Sequence, residues 1–260
     1  MKNSRTYGKA PFPVAVIHGG PGAAGEMAPI ARKLASGRGV LEPLQTATSV
    51  TGQIKELKTV LEKSGDLPVI LIGFSWGAWL CFIFAANDPE FVKKVILVGS
   101  GPFEEAYTAR IQQTRLARLS AEERAEAESI IRALGYPASQ GGSTAFARLG
   151  ALLSKADAYD AIQYESGLVD YRPDIFQSVW KEAAELRRRG KLLELGKKIT
   201  CPVVAIHGDY DPHPAEGVQK PLSAVLKDLR FILLKSCGHM PWIERQARDE
   251  FYSILETELR

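Results

Sequence analysis

Cysteine is scarce. Cys81, Cys201 and Cys237 are the only three in 260 residues, and no two stand at a metal-ligand spacing such as C-x-x-C. Three distant thiols make neither a disulfide framework nor a zinc ligand set. The N-terminal stretch MKNSRTYGKAPFP has no apolar targeting region, so the thiols read as reduced and the expected compartment is the cytoplasm. An excess of one charge is also lacking: 33 Lys and Arg stand against 30 Asp and Glu, a formal net charge of +3. No nucleic-acid face is indicated. Repeats and low-complexity tracts are absent. The longest stretch without a charge, Leu67–Asn87, reads LPVILIGFSWGAWLCFIFAAN. It has the length of a membrane span, but Gly73, Ser75 and Gly77 break it after a β-branched tract. A strand, a sharp turn and a buried helix explain it better, and no membrane partner is expected.

What is present is 45% hydrophobic residues, enough for a sizeable core, in short apolar runs that alternate with helix-length segments. Strands are expected at Val14–His18, Val40–Leu41, Val69–Ile72, Val92–Val98, Val203–His207 and Arg230–Leu234. Helices are expected at Glu26–Ser36, Val50–Lys63, Trp76–Ala86, Ala215–Leu226 and Trp242–Leu259. This is an α/β pattern, a mostly parallel sheet with helices on both faces. The first strand comes a dozen residues in, so little of the sheet is expected before it. From Gly101 to about Thr200 no strand is evident. Ser120 and Glu123 form a capping box, with Gly135 closing that helix, and Leu149–Leu153 and Phe176–Leu195 also read as helical. A helical stretch of this length is too long for a crossover and implies an inserted helical cap over residues 103–200, with a core made of residues 1–102 and 201–260. The Arg187–Arg188–Arg189 run reads as a solvated helix face.

Four motifs carry chemistry. Gly73-Phe74-Ser75-Trp76-Gly77 is a G-x-S-x-G between a β-branched strand and an apolar helix, the context that lifts a serine hydroxyl clear of a sheet. His18-Gly19-Gly20-Pro21-Gly22 follows the first strand. Its backbone N–H groups suit the negative charge that builds on a carbonyl oxygen during acyl transfer. Gly20, with the N–H of Trp76 after the serine, is the candidate oxyanion pair. No nucleotide-loop pattern matches it. His207-Gly208-Asp209-Tyr210-Asp211-Pro212 and Cys237-Gly238-His239-Met240-Pro241-Trp242 follow two later strands, at the carboxyl ends where open α/β sheets place their sites. Of the four histidines, His18 and His207 sit in strand-end turns, and His18 is expected to pin its loop. His213 shares the loop of the acid and is poorly placed to bond that acid while also reaching Ser75. That leaves His239 as the base. Asp209 and Asp211 are both candidate acids.

At these residues the chain resembles the α/β-hydrolase superfamily, whose order is serine, acid, histidine. HGGPG with an elbow ending S-W-G is most similar to the proline iminopeptidase branch. The resemblance covers nearly the whole chain and implies the α/β-hydrolase fold with an inserted cap. It implies Asp211, three residues past Gly208, as the acid of a Ser75–Asp211–His239 triad. The branch's D-x-R-G-x-G-x-S loop has no counterpart: Leu41–Ser49 reads LEPLQTATS. The expected function is a serine hydrolase that cleaves small esters or amides through an acyl-enzyme, with carboxylesterase-like activity favoured. The alternatives are a proline iminopeptidase-like aminopeptidase and a non-catalytic ligand-binding protein on the same scaffold. The expected partner is a small-molecule substrate. No metal or organic cofactor is required. Cap aromatics such as Tyr159, Tyr164, Tyr171, Phe176 and Trp180 are candidates to line the pocket.

Overall fold

A computed structural model of the chain describes residues 3–134, 142–162 and 169–260. The chain-order elements are β1 (Ser4–Tyr7), β2 (Val14–Ile17), β3 (Ala23–Ala24), α1 (Ala28–Leu34), β4 (Val40–Pro43), α2 (Val50–Ser64), β5 (Val69–Phe74), α3 (Trp76–Asn87) and β6 (Val92–Val98). There follow α4 (Ile111–Ala117), α5 (Ala121–Leu134), α6 (Gly142–Asp157), β7 (Asp170–Tyr171), α7 (Pro173–Arg188), α8 (Lys191–Glu194), β8 (Val203–Gly208), α9 (Glu216–Val225), β9 (Leu229–Leu234) and α10 (Arg248–Glu258). The main sheet has seven strands in the order β1-β4-β2-β5-β6-β8-β9. Every pairing is parallel except that of β1 with β4.

The strand sequences explain the layering. Successive residues face opposite sides of a strand, and in β5 and β2 both sides are apolar. Leu71, Ala15 and Ile17 join one core cluster with α2, α3 and α7. Ile70, Ile72, Val14 and Val16 join another with α1 and α10. Helix α3 is buried from Trp76 to Ala86. A helix apolar on every face belongs in a core, which accounts for the uncharged stretch around Ser75. Among the described residues no helix is long and apolar enough to cross a membrane.

Four sequence expectations are corrected. A strand does precede Val14: Ser4–Tyr7 adds an antiparallel edge, and its polar, half-exposed residues carry no burial pattern to reveal it. The stretch read as free of strands contains β7, which pairs antiparallel with β3. Two residues are too few to show a period. Pro241–Ile243 is a single 3-10 turn, so the closing helix begins only at Arg248. Arg187 is not solvated: its side chain is 10% exposed, bonds Glu105 at 2.9 Å and lies over the Trp79 ring. The Ser120–Glu123 box forms in both directions. Gly135 and Tyr164 lie outside the described residues.

Candidate functional site

Ser75 sits at the junction of β5 and α3 with φ +51°, a region few non-glycine residues adopt. The flanking glycines make the turn possible. A Cβ on Gly73 would stand 2.2 Å from the Gly77 carbonyl oxygen, and one on Gly77 would stand 2.4 Å from that of Ile17. Only hydrogens fit there, so the helix start can press against β2. The Ser75 N–H donates to the Val98 carbonyl at 2.9 Å, fixing the turn to the end of β6. Trp76 opens the helix, where the first N–H groups have no intrahelical partner. Its indole Nε1–H donates to Gln53 Oε1 at 2.9 Å, which anchors the helix start in the core.

The glycine loop follows β2. His18 is fully buried, and its Nδ1–H donates to the Gly19 carbonyl at 2.8 Å. Burial lowers its pKa to about 4, so the ring is neutral. The Gly19 N–H donates to Glu26 Oε2 at 3.0 Å. Gly20 follows with φ +28°, and its carbonyl accepts from Ala23 N–H. The loop is then tied to the helical region by the β3–β7 ladder and by Arg172 N–H donating to the Gly22 carbonyl at 2.8 Å.

The acid and histidine loops converge from the ends of β8 and β9. His239 Nδ1 lies 2.7 Å from Asp211 Oδ2, and both residues are buried. The His239 ring packs 4.8 Å from that of Phe74, the neighbour of Ser75. Gly99, just past the β6 residue that holds Ser75, lies against His239. The fold therefore brings Ser75, His239 and Asp211 to one end of the sheet. Asp209 stays apart: it is exposed, accepts a long bond from the Cys237 N–H and lies 3.7 Å from Lys235.

Burial pushes the Asp211 carboxyl up, but His239, His213 and His207 around it hold it well below the usual carboxylate range. An ionised carboxylate only accepts hydrogen bonds, so His239 must carry its proton on Nδ1, which leaves the Nε2 lone pair free. Burial works against charging His239. The Asp211 carboxylate outweighs it, aided by Asp157, and the His239 pKa ends above the ordinary 6.5.

Two roles beside the site escaped the sequence reading, which weighed His213 only as a base and took Glu26 only as a helix start. His213 bonds the other oxygen of Asp211, through its backbone N–H at 2.9 Å and its Nδ1–H at 2.8 Å. Its place two residues past the acid was the available signal. Glu26 has the other. Burial raises its pKa to about 7, opposed by His239 and the Gly19 N–H. It lines two neighbouring cavities. One, of about 470 Å³, is bounded by Gly20, Pro21, Leu149, Leu153 and Phe176. The other, of about 640 Å³, is bounded by Met240, Ile243, Ile162 and Tyr159. Tyr171 borders both. Trp180 lies behind Phe176, stacked between it and Trp79.

Against known proteins, the model of the alpha/beta hydrolase fold family matches residues 47–246. A proline iminopeptidase of Lactobacillus delbrueckii subsp. bulgaricus is 26% identical, over 91% of this chain and 86% of its own. Among solved structures, VinJ superposes with a TM-score of 0.68 at 17% identity, covering 98% of this chain and 93% of that one. The monoacylglycerol lipase of Paleococcus ferrophilus superposes with a TM-score of 0.64 at 19% identity, covering 98% and 97%. At these identities the superpositions speak for the fold.

Proposed function

The chain belongs to the alpha/beta hydrolase fold family, and on that footing we propose that it is a serine hydrolase acting through an acyl-enzyme, with small esters as its preferred substrates. The observation that carries the reading is the buried Asp211–His239 bond of 2.7 Å beside a serine held at φ +51° on a strand-to-helix turn. His239 Nε2 takes the Ser75 proton as Oγ bonds to the acyl carbon. It then passes that proton to the leaving oxygen or nitrogen as the acyl bond breaks. Water repeats the sequence, losing its proton to His239, and the acid is released with Ser75 restored. Asp211 holds the imidazole tautomer and stabilises its charged form. The N–H groups of Gly20 and Trp76 receive the developing oxyanion. The helical region over residues 103–200 serves as the cap that selects substrate. No metal or organic cofactor enters this chemistry.

A fluorophosphonate probe tests the reading. Rapid covalent labelling that disappears in Ser75→Ala supports it. Silence of the folded protein toward the probe, with tight binding of a small ligand, would favour a receptor on the same scaffold.

One observation favours a second reading, an aminopeptidase related to the proline iminopeptidases. A substrate amine needs a carboxylate, and Glu26 offers one beside Gly19 in the wall of both cavities. Among the described residues no Lys or Arg forms an ion pair with it.

A further inference from the structure

Asp211 carries two imidazoles. His239 Nδ1 meets Oδ2 at 2.7 Å, and His213 Nδ1 meets Oδ1 at 2.8 Å. The two rings lie 4.6 Å apart, tilted by 35°. Because the carboxylate is ionised and can only accept, both Nδ1 atoms are donors. His213 adds its backbone N–H to Oδ1 at 2.9 Å. Its own carbonyl accepts from His207 Nε2–H at 2.8 Å, so a buried histidine from the end of β8 fixes the loop that presents it.

We propose that His213 is a positioning residue for the triad: it fixes the carboxylate plane of Asp211 and withdraws part of its charge, and so sets how strongly His239 holds a proton. The proposal rests on the serine-hydrolase reading only where turnover is the readout.

The chemistry follows from sharing one acceptor. Each donor on a carboxylate stabilises its ionised form and makes it a weaker acceptor for the next donor. With His213 in place, the charge Asp211 offers to His239 is shared between two sides. With His213 gone, Oδ1 loses a donor, more charge faces His239, and its imidazolium becomes harder to deprotonate. Burial keeps His213 itself neutral, with a pKa lowered to about 4, so near neutral pH it acts as a fixed donor. The other groups that face this pair are accounted for. Asp157 favours the charged form of His239, Arg115 disfavours it, and Glu26 interacts with it across the cavity wall. His207 lies 3.5 Å from Asp211 Oδ2. None of these groups is hydrogen-bonded to the His213 ring, whose Nδ1–H goes to Asp211.

The chemistry of the donor selects the variants. An Asn amide nitrogen sits where His Nδ1 sits, whereas a Gln amide reaches one bond further. His213→Asn should restore the bond, and His213→Ala and His213→Gln should not. Two readouts apply. The first is the pH dependence of kcat/KM for an ester from pH 5 to 9. The acid limb should rise by roughly half to one pH unit in His213→Ala and His213→Gln, as expected for one hydrogen bond, with about a tenfold loss on the plateau. His213→Asn should stay within about threefold of the parent and keep its limb. The second readout needs no turnover. In protein labelled with 15N-histidine, two Nδ1–H protons should appear far downfield, and the His239 ring should titrate at higher pH in His213→Ala. An unchanged His239 titration and acid limb in both His213→Ala and His213→Gln would overturn the proposal. So would His213→Asn behaving like His213→Gln, a comparison that stands even if His213→Ala does not fold. If no ester is turned over and no probe reacts, the serine-hydrolase reading fails, while the NMR titration still decides the role of His213.

Discussion

At the scale of single residues, most of the candidate site was legible because the proposed chemistry demands particular atoms. Only one serine stood on a G-x-S-x-G turn, and among the four histidines only His239 had its own loop, so neither had a rival in the same loop. The two aspartates did, and spacing alone could not rank them, since both lie in one turn. Geometry separates them: Asp211 is buried against His239, and Asp209 faces solvent beside Lys235. Two experiments check the assignment. Ser75→Ala should lower turnover by about 10⁶ without unfolding the protein, and more than a tenth of the activity remaining would exclude Ser75 as nucleophile. Asp211→Asn should lower it by roughly 10⁴, with Asp209→Asn near the parent; the opposite ranking would move the acid to Asp209. The base also sets a pH rule. On the proposed mechanism only neutral His239 can accept the Ser75 proton, and its pKa is raised by Asp211 despite burial. Activity should therefore fall below a limb that lies above pH 6.5. A limb at or under 6.5 in a kcat/KM profile would contradict that direction. The roles of His213 and Glu26 were missed for a common reason. Neither lies in a motif, and their importance comes from what folding places beside them.

At the scale of elements, the regular α/β alternation was visible because buried parallel strands and one wholly apolar helix carry strong patterns. Edges and short ladders were not: β1 is half exposed, and β3 and β7 have two residues each. What the pattern hid most is how the stretch after α6 docks on the histidine loop. The carboxylate of Glu244, itself fully buried, accepts the N–H groups of Gly238, Tyr159 and Asp160 at 2.8 to 2.9 Å. The N–H of His239 donates to the Asp157 carbonyl, that of Ile162 to Ile243 and that of Arg245 to Asp160. The Asp157 side chain is held by Arg115 in a two-pronged pair at 2.6 and 2.7 Å. One carboxylate thus ties the helical region to the loop that aims the base. Glu244→Ala would leave three backbone donors without an acceptor, and each such group costs about 1–3 kcal/mol when it stays buried. The urea midpoint should fall by the equivalent of about 3 kcal/mol, with kcat reduced as the His239 loop loosens. Glu244→Gln, which keeps an acceptor oxygen, should lose less. A midpoint shift under about 1 kcal/mol in Glu244→Ala would show that water replaces the clamp.

At the scale of the whole molecule, the arrangement around Glu26 makes the proposed substrate class testable. The two cavities that Glu26 lines are walled mainly by apolar side chains. With an uncharged ester bound, the Glu26 carboxyl, whose pKa is about 7, stays protonated below pH 7 and ionises above it with no cation to pair with. Alkoxide and phenoxide also leave more readily than amines. Short-chain p-nitrophenyl esters should therefore be turned over, and prolyl and alanyl p-nitroanilides more slowly or not at all, near pH 8. An ammonium group held against Glu26 would reverse the picture: it would stabilise the carboxylate, and free aminoacyl anilides would be cleaved while their acetylated forms were not. That pattern would overturn the ester preference, and Glu26→Gln should then raise KM for the free anilide while leaving ester turnover within a few fold. Stability offers an independent check. A carboxyl whose pKa rises from 4.5 unfolded to about 7 folded contributes stability in full below pH 4.5, and the contribution fades as pH rises through 7. The parent should thus lose more Tm than Glu26→Gln between pH 5 and pH 8. Equal losses would mean that Glu26 is already ionised in the folded protein, a carboxylate waiting for a cation, and would move the substrate class toward amines.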